Sequence, residues 1–375
     1  MESAEEKVLG TVRFPCNNCG AYLKYMPGTQ HLNCEYCGTE NEIPQVTGKI
    51  TENDFFAALG QGKGLGVTVS QHFVKCGSCG ASSSRDSSVA SAACPYCLTP
   101  LIDAEQGYDE NIILPGSLLP FRLDKASAKQ HFEEWIKSLW FAPDDLKKTN
   151  INADRFNGIY IPYWTYDTAT FSQYTGERGE YYYVSETYTT TENGKSVTKT
   201  RQVRKTRWYP ASGSVGMFFD DLLVGATRSL PEKYVQKLEP WDMENLIPFG
   251  KSYLSGFITE KYQIDIKEGF EMAKVIADPR IRDAVRHDIG GDEQHINSLT
   301  TDYSNITYKH LLFPVYVNVY KYNSKVYQFV VNARTGEVQG ERPYSWIKIT
   351  LAVIASLMLI AAIVIAIQYY QNTQQ

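Results

Sequence analysis

The sequence predicts an α+β chain with two small four-cysteine ribbons first, a β-rich α+β region next and one C-terminal transmembrane helix last. Three observations carry this. All eight cysteines fall into Cys-x-x-Cys pairs at one repeated spacing. Twenty-six tyrosines and a charged fraction of only 21% lean the 375 residues towards strands, where flat aromatic rings pack on pleated surfaces. Ile349 to Ile367 is an apolar run broken only by Thr350 and Ser356.

The ribbons come first. Cys16-Asn-Asn-Cys19 is followed by 14 residues and then Cys34-Glu-Tyr-Cys37. Cys76-Gly-Ser-Cys79 is followed by 14 residues and then Cys94-Pro-Tyr-Cys97, so the unit repeats 60 residues later. An identical spacing used twice is a tandem duplication. Disulfide frameworks seldom consume every cysteine in this way, whereas tetrahedral four-thiolate sites do. Zn²⁺ is the expected cofactor, two ions, one per ribbon. Iron in a rubredoxin-like site is the alternative, and the short intervening loop favours zinc. Glycines after the second cysteine of a knuckle (Gly20, Gly38, Gly80) let backbone N–H groups turn towards the sulfurs and steady them. With no vacant ligand, the sites are expected to be structural. The ribbons are placed at 11–45 and 72–105, with a flexible linker at 46–71 whose Gly60-Gln-Gly-Lys-Gly-Leu-Gly66 lacks the phosphate-loop spacing.

The α+β region is placed at 115–345. Asp124 caps a predicted helix to about Trp140, with Phe132, Trp135, Ile136 and Leu139 at helical spacing. Strands are expected at 158–166, 218–227, 311–320, 326–332 and 335–338. Helices are expected at 231–238 and 265–289, the latter kinked or broken at Pro279. The order Leu119-Pro-Phe121, helix, Ile161-Pro-Tyr-Trp164, Thr175-Gly-Glu177 recurs as Ile247-Pro-Phe249, helix, Phe313-Pro-Val-Tyr316, Thr335-Gly-Glu337. This predicts two related halves, 118–178 and 246–340.

A charged hairpin, 180–208, is expected between them, turning at Asn193-Gly194 in a two-residue type I′ turn. That turn sets Glu192 opposite Lys195, Glu186 opposite Arg201 and Glu180 opposite Arg207. Tyr183 then meets Arg204, Tyr182 meets Lys205 and Val184 meets Val203. Lys199, Arg201, Arg204, Lys205 and Arg207 are the candidate contacts for nucleic acid or lipid headgroups. Pairing within the hairpin is the competing use of the same charges.

The apolar run predicts a membrane-spanning helix at 347–368, long enough at about 1.5 Å per residue for the ~30 Å hydrocarbon layer. Trp346, Tyr369 and Tyr370 flank it as interfacial aromatics do. Arg342 and Lys348 precede it, and the tail 369–375 has no basic residue, so the bulk of the chain is expected in the cytoplasm with the tail outside. The acidic N-terminus has no apolar stretch that would suggest secretion.

Charge argues against nucleic acid as the main partner. The net charge is −5, and residues 1–105 carry seven Lys or Arg against eleven Asp or Glu. The six histidines (His31, His72, His131, His287, His295, His310) form no catalytic pattern. His287 and His295, flanking Asp288, Asp292 and Glu293, are a weak metal candidate. No Walker A, nucleophile elbow or kinase signature is present, so the chain is read as non-enzymatic.

The stretches Ile159-Tyr-Ile-Pro-Tyr-Trp-Thr-Tyr166, Tyr181-Tyr-Tyr-Val-Ser-Glu-Thr-Tyr188, Lys205-Thr-Arg-Trp208 and Phe218-Phe-Asp-Asp-Leu222 resemble a bacterial family of zinc-ribbon proteins. Its members are often labelled primosomal protein N′ or superfamily II helicase. This sequence holds no helicase ATPase motif. The resemblance implies a membrane-anchored protein of envelope-stress systems, with phage-shock-protein-A-like or SPFH-like proteins as partners. Asn332-Ala-Arg-Thr-Gly-Glu-Val338 is similar to the strand-turn motif of PepSY-type domains. The expected function is a scaffold recruiting protein partners to a bacterial membrane. The alternative is a nucleic-acid-binding accessory factor using the basic hairpin.

Overall fold

The structure, a computed structural model, describes residues 14–44, 48–60, 71–84, 93–101, 105–109, 112–146, 153, 156–192, 194–323 and 325–373. They form two units. The first comprises Met1–Thr168, Phe219–Ile276 and Asn305–Pro343; the second comprises Ala169–Phe218, Ala277–Ser304 and Tyr344–Gln375.

In the first unit, the first ribbon is a three-stranded sheet of β1 (Leu23–Tyr25), β2 (His31–Cys34) and β3 (Glu40–Glu42). β1 pairs antiparallel with β2 (Leu23 opposite Cys34), and β2 with β3 (His31 opposite Glu42). Next come β4 (Asn53–Asp54) and α1 (Phe55–Gly60), inside the segment expected to be a flexible linker. This part of the linker is fixed: β4 pairs with Thr307 and Tyr308, and Phe55 lies 5.0 Å from Phe270, ring to ring. Phe55 and Ala58 are its buried residues, and two positions in six leave too short a pattern to read. The glycine-rich stretch 61–70 lies outside the described residues. The second ribbon follows with β5 (Gln71–Lys75), β6 (Ser82–Ser84) and β7 (Glu105–Asp109), ordered β6-β5-β7.

The central sheet is built from β8 (Ser117–Leu118), β9 (Asn157–Glu192), β10 (Lys195–Gly225), β11 (Ile247–Pro248), β12 (Ile258–Thr259), β13 (Glu293–Tyr322), β14 (Lys325–Asn332) and β15 (Val338–Gly340). Its main order is β10-β9-β13-β14-β15. β13 pairs antiparallel with β14 over eight residues, Val315 opposite Asn332 to Tyr322 opposite Lys325. β8 runs parallel to β13, and β12 runs parallel to β9.

The alternation of side chains along these strands assigns the core. On one face Tyr160, Leu312, Tyr316, Tyr320, Phe329 and Val331 join α2 (Lys125–Ser138). On the other, Ile159, Ile161, Tyr163, Leu311, Phe313, Val315, Val317 and Val330 join α3 (Glu232–Lys237). Neighbours in sequence point to opposite faces of a strand, so a sheet covered on both sides reads as a nearly continuous apolar run. Asp124 caps α2 as expected, accepting 2.8 Å from the Ser127 N–H. Phe132 stacks on Phe329 at 3.8 Å. Each ribbon is part of a different face. Leu23, Tyr25 and Leu32 belong to the α2 side, whereas Ala81 and Tyr96 belong to the α3 side.

α4 (Ile266–Ile289) runs unbroken through Pro279, where a kink or break was expected. Pro279 leaves the Val275 carbonyl without its helical donor. Val275 is exposed, so water can take that place.

In the second unit, Tyr174, Val285 and Ile289 form a small core with Ala211, Val215, Ile296 and Leu299. The hairpin here is the far part of β9 and β10. Across it, Gln202 donates to Ser185 at 2.8 Å and Arg201 lies 3.5 Å from Glu186, the opposition a two-residue turn demands. Gly194 has φ +74°, while Asn193 and the Glu192 side chain lie outside the described set. Side-chain contacts also run diagonally: Arg204 covers Tyr181 at 4.1 Å, and Arg207 covers Tyr182 at 4.9 Å while feeling the charge of Glu180. Glu180 pairs with Arg178 on its own strand at 3.0 Å. Long side chains lean along the strand and reach the diagonal neighbour, two positions from the directly opposite one. The last helix, α5 (Trp346–Thr373), is long and apolar enough over Trp346–Asn372 to cross a membrane.

Candidate metal centres

Each ribbon brings four sulfurs together. In the first, Cys16 and Cys37 lie 3.7 Å apart and Cys19 and Cys34 lie 3.5 Å apart. In the second, Cys76–Cys97 and Cys79–Cys94 are both 3.6 Å. Tetrahedral ligands on bonds of about 2.3 Å stand about 3.8 Å from each other, so both sets match the edges of a metal tetrahedron. Each group could hold one metal ion.

The backbone that builds them repeats bond for bond with the 60-residue offset. Cys16 N–H donates to Ala21 O at 2.7 Å, and Cys76 N–H to Ala81 O at 2.8 Å. Gly20 N–H donates to Cys16 O and Gly80 N–H to Cys76 O, both at 2.9 Å. Gly38 N–H donates to Cys34 O at 2.8 Å, and Leu98 N–H to Cys94 O at 2.9 Å. Gly20, Gly38 and Gly80 sit at φ +74°, +73° and +74°, and Leu98 takes the same turn at +62°. The knuckle therefore demands the left-handed region, and the fourth copy adopts it with a side chain.

Neighbouring donors favour the thiolate at Cys37 and Cys97, whereas burial pushes the Cys79 and Cys94 thiols up. The Thr39 hydroxyl lies 3.1 Å from the Cys37 sulfur and, with its own N–H, draws that thiol down to about 6. Thr99 stands 3.1 Å from Cys97; burial pushes this thiol up, but the Thr99 hydroxyl and N–H outweigh it and bring it to about 7. A sulfur held as thiolate near neutral pH is a better metal ligand.

Both ribbons are bonded into the first unit through main-chain contacts either side of β12. Tyr25 N–H donates to Ser255 O at 3.0 Å, and the Ser255 hydroxyl to Leu23 O at 2.7 Å. After β12, Lys261 N–H donates to Ser82 O at 3.0 Å, and the Gln263 amide to Gly80 O at 3.2 Å. Tyr96, inside the second knuckle, donates 2.7 Å to the buried Glu260, which Thr227 and Ser229 also serve. Burial pushes Glu260 up to about 7, against its three neutral donors. No sequence signal marked Glu260, because a lone glutamate has no motif.

A third acidic group, Asp167, Asp220 and Asp221, already holds a cation. Lys309 Nζ lies 2.7 Å from Asp221, 3.4 Å from Glu52 and 3.9 Å from Asp167. The weak candidate around the Gly-Gly loop also has other work. Asp288 accepts from the Tyr174 hydroxyl at 2.6 Å, Asp292 from the Tyr181 N–H at 2.7 Å and Glu293 from the Tyr181 hydroxyl at 2.8 Å. His295 stands edge-on to Trp208.

The basic hairpin residues share one strand but are largely engaged. Arg201 lies over Tyr188 at 5.5 Å and pairs with Glu186, which Lys205 also meets at 3.2 Å. Arg204 and Arg207 cover tyrosines, and Lys199 is half-buried.

No protein-family model matches this chain. No solved structure matches it significantly. A curated protein of Bacillus subtilis (strain 168), described as uncharacterized protein YdjG, is 26% identical over 243 residues, covering 62% of this chain and 65% of that relative, just under two thirds of its length.

Proposed function

We propose that this chain is a non-enzymatic, membrane-anchored scaffold that recruits protein partners to the cytoplasmic face of a bacterial membrane, in the setting of envelope stress. The observation that carries it is the unequal use of one knuckle position. Tyr96 of the second ribbon is buried at 3% exposure, while its counterpart Tyr36 in the first stands 85% exposed. Tyr22 and Met26, also exposed, belong to the same ribbon. Exposed aromatic side chains on a rigid support serve as anchors at protein interfaces. Four thiolates per site favour Zn²⁺ in each, with a structural role. The apolar span of α5 supports anchoring, and Arg342 before it and Lys348 in its first turn support the cytoplasmic side.

The test is photo-crosslinking from position 36 of the full chain in its membrane, followed by identification of the adducts. The reading expects protein adducts that excess unlabelled parent chain suppresses and excess Tyr36→Ser chain does not; phage-shock-protein-A-like and SPFH-like proteins are the first to look for. Equal suppression by the parent and Tyr36→Ser chains would sink it.

The second reading, nucleic-acid binding through Lys199, Arg201, Arg204, Lys205 and Arg207, rests on the exposed guanidinium of Arg201. It requires binding that falls steeply with salt and is lost on charge reversal at 201, 204 and 205. The ion pairs and tyrosine stacking described above leave fewer cations for phosphates.

We also infer that 118–178 and 246–340 are related halves. The short strand before each half's helix pairs parallel with the long strand of the other, β8 with β13 and β12 with β9. Superposition of the halves with unlike strand order would refute this.

A further inference from the structure

A cleft of about 800 Å³ opens in the first unit between the β1–β2 turn of the first ribbon and the sheet. This is a size suited to small organic ligands. Its lining includes Arg122, Arg334 and His31, with aromatic wall from Tyr25 and Tyr253, and no carboxylate residue lines it among the described residues.

The three cationic or imidazole groups differ in their commitments. Arg334 is held rigidly: its guanidinium is forked onto Asp242, with Nε at 2.9 Å from Oδ1, and Nη1 donates to Pro120 O at 3.0 Å. A guanidinium has five N–H donors, and these bonds use Nε, one on Nη1 and one on Nη2, which leaves two. Asp242 offsets that one charge. Arg122 has no carboxylate partner among the described residues, so the cleft keeps a net positive charge. His31 Nδ1 is buried and has no hydrogen-bond partner among the described residues, so the imidazole adds no charge-bearing contact to the cleft.

We propose that this cleft binds a small organic oxyanion, a phosphate monoester or a carboxylate with a flat or apolar body. Arg122 and the open edge of Arg334 grip the anion. Planar guanidinium groups suit both oxyanions, since each can take paired N–H donors. The body of the ligand lies against Tyr253 and Tyr25. Because one wall belongs to the first ribbon, a bound ligand also ties that ribbon to the sheet. This site does not rest on the scaffold reading, and its ribbon wall depends on the order of the first four-cysteine cluster.

The test uses the full chain in detergent micelles, with inorganic phosphate, phenyl phosphate and benzoate as probes, read by calorimetry and by thermal shift. Saturable binding is expected, tighter for an aromatic probe than for inorganic phosphate. The stronger of phenyl phosphate and benzoate identifies the oxyanion. Arg122→Ala should weaken binding roughly tenfold, as loss of a charge-assisted pair does. Arg286→Ala, on α4, should leave it unchanged. If Arg122→Ala fails to fold, Gln30→Glu at the cleft rim supplies the same loss by repulsion. Absence of saturable binding by all three probes, or an equal loss with Arg286→Ala, overturns the proposal.

Discussion

The Tyr96 hydroxyl donates a 2.7 Å hydrogen bond to the Glu260 carboxylate, joining the second ribbon's knuckle to a glutamate only 2% exposed. Burial raises this carboxyl to about 7, above its value in the unfolded chain. The folded state therefore holds the proton more tightly. Its contribution to stability is full below the ordinary carboxylate range and is lost as pH rises through about 7. Such a shift corresponds to about 3 kcal/mol. Glu260→Gln keeps an acceptor for Thr227 and Ser229 and removes the charge. Thermal melts across pH should show the variant flat over this window and more stable than the parent at about pH 8. A parallel pair of curves would refute the account.

Lys309 is the internal cation of Asp221, Asp167 and Glu52, with a side chain 11% exposed. Burial, reinforced by Glu52, brings Asp167 up to about 6, against the Asp221 N–H and Lys309. Lys309→Met strands these carboxylates and should cost roughly 3–5 kcal/mol above that pH. The loss should shrink on acidification, because Asp167 then takes a proton and needs no partner. Denaturant melts on either side of about pH 6 would check both the size and the sign.

Leu98 occupies a knuckle position held by glycine in the other three copies, at φ +62° and 51% exposed. Leu98→Gly removes a strained Cβ at little loss of packing. A gain of about 1 kcal/mol is expected. It should appear as slower metal release from the second ribbon alone, measured with a chromogenic chelator.

Metal content should fall one ion at a time. Cys16→Ser and Cys76→Ser should each lower the bound metal from two ions per chain to one, measured by elemental analysis. Zinc should leave the protein colourless, whereas iron would show thiolate charge-transfer absorption. The Cys16→Ser chain should lose the order of the first ribbon and keep that of the second, since the two belong to separate core clusters.

The ribbons were legible because metal chemistry fixes both residue type and spacing, and the hairpin pairing because a two-residue turn fixes register. The aromatic–cation partners were not, since side-chain reach picks the diagonal neighbour. β4 and α1 were not legible because they are held by two strand pairs to Thr307 and Tyr308 and by Phe55 and Ala58, too few positions to make a pattern. The continuity of α4 through Pro279 depended on which side of the helix faces water, a tertiary fact. Arg334 sat in a recognisable turn motif, but its fork onto Asp242 joins residues 92 positions apart. Glu260 gathers Tyr96, Thr227 and Ser229 from three distant segments, and sequence spacing carries no trace of that meeting.

The placement of the two ribbons on opposite faces of one sheet makes the metal supply a matter of quality control. Release of the first ion would unseat Leu23, Tyr25 and Leu32 from the α2 side. Release of the second would uncover the α3 side, where Tyr96 and Ala81 lie. Either event exposes part of the apolar core, the kind of surface that proteases and chaperones recognise. The lifetime of the whole chain in a starved or oxidised cell should thus follow whichever of the two four-cysteine clusters gives way first.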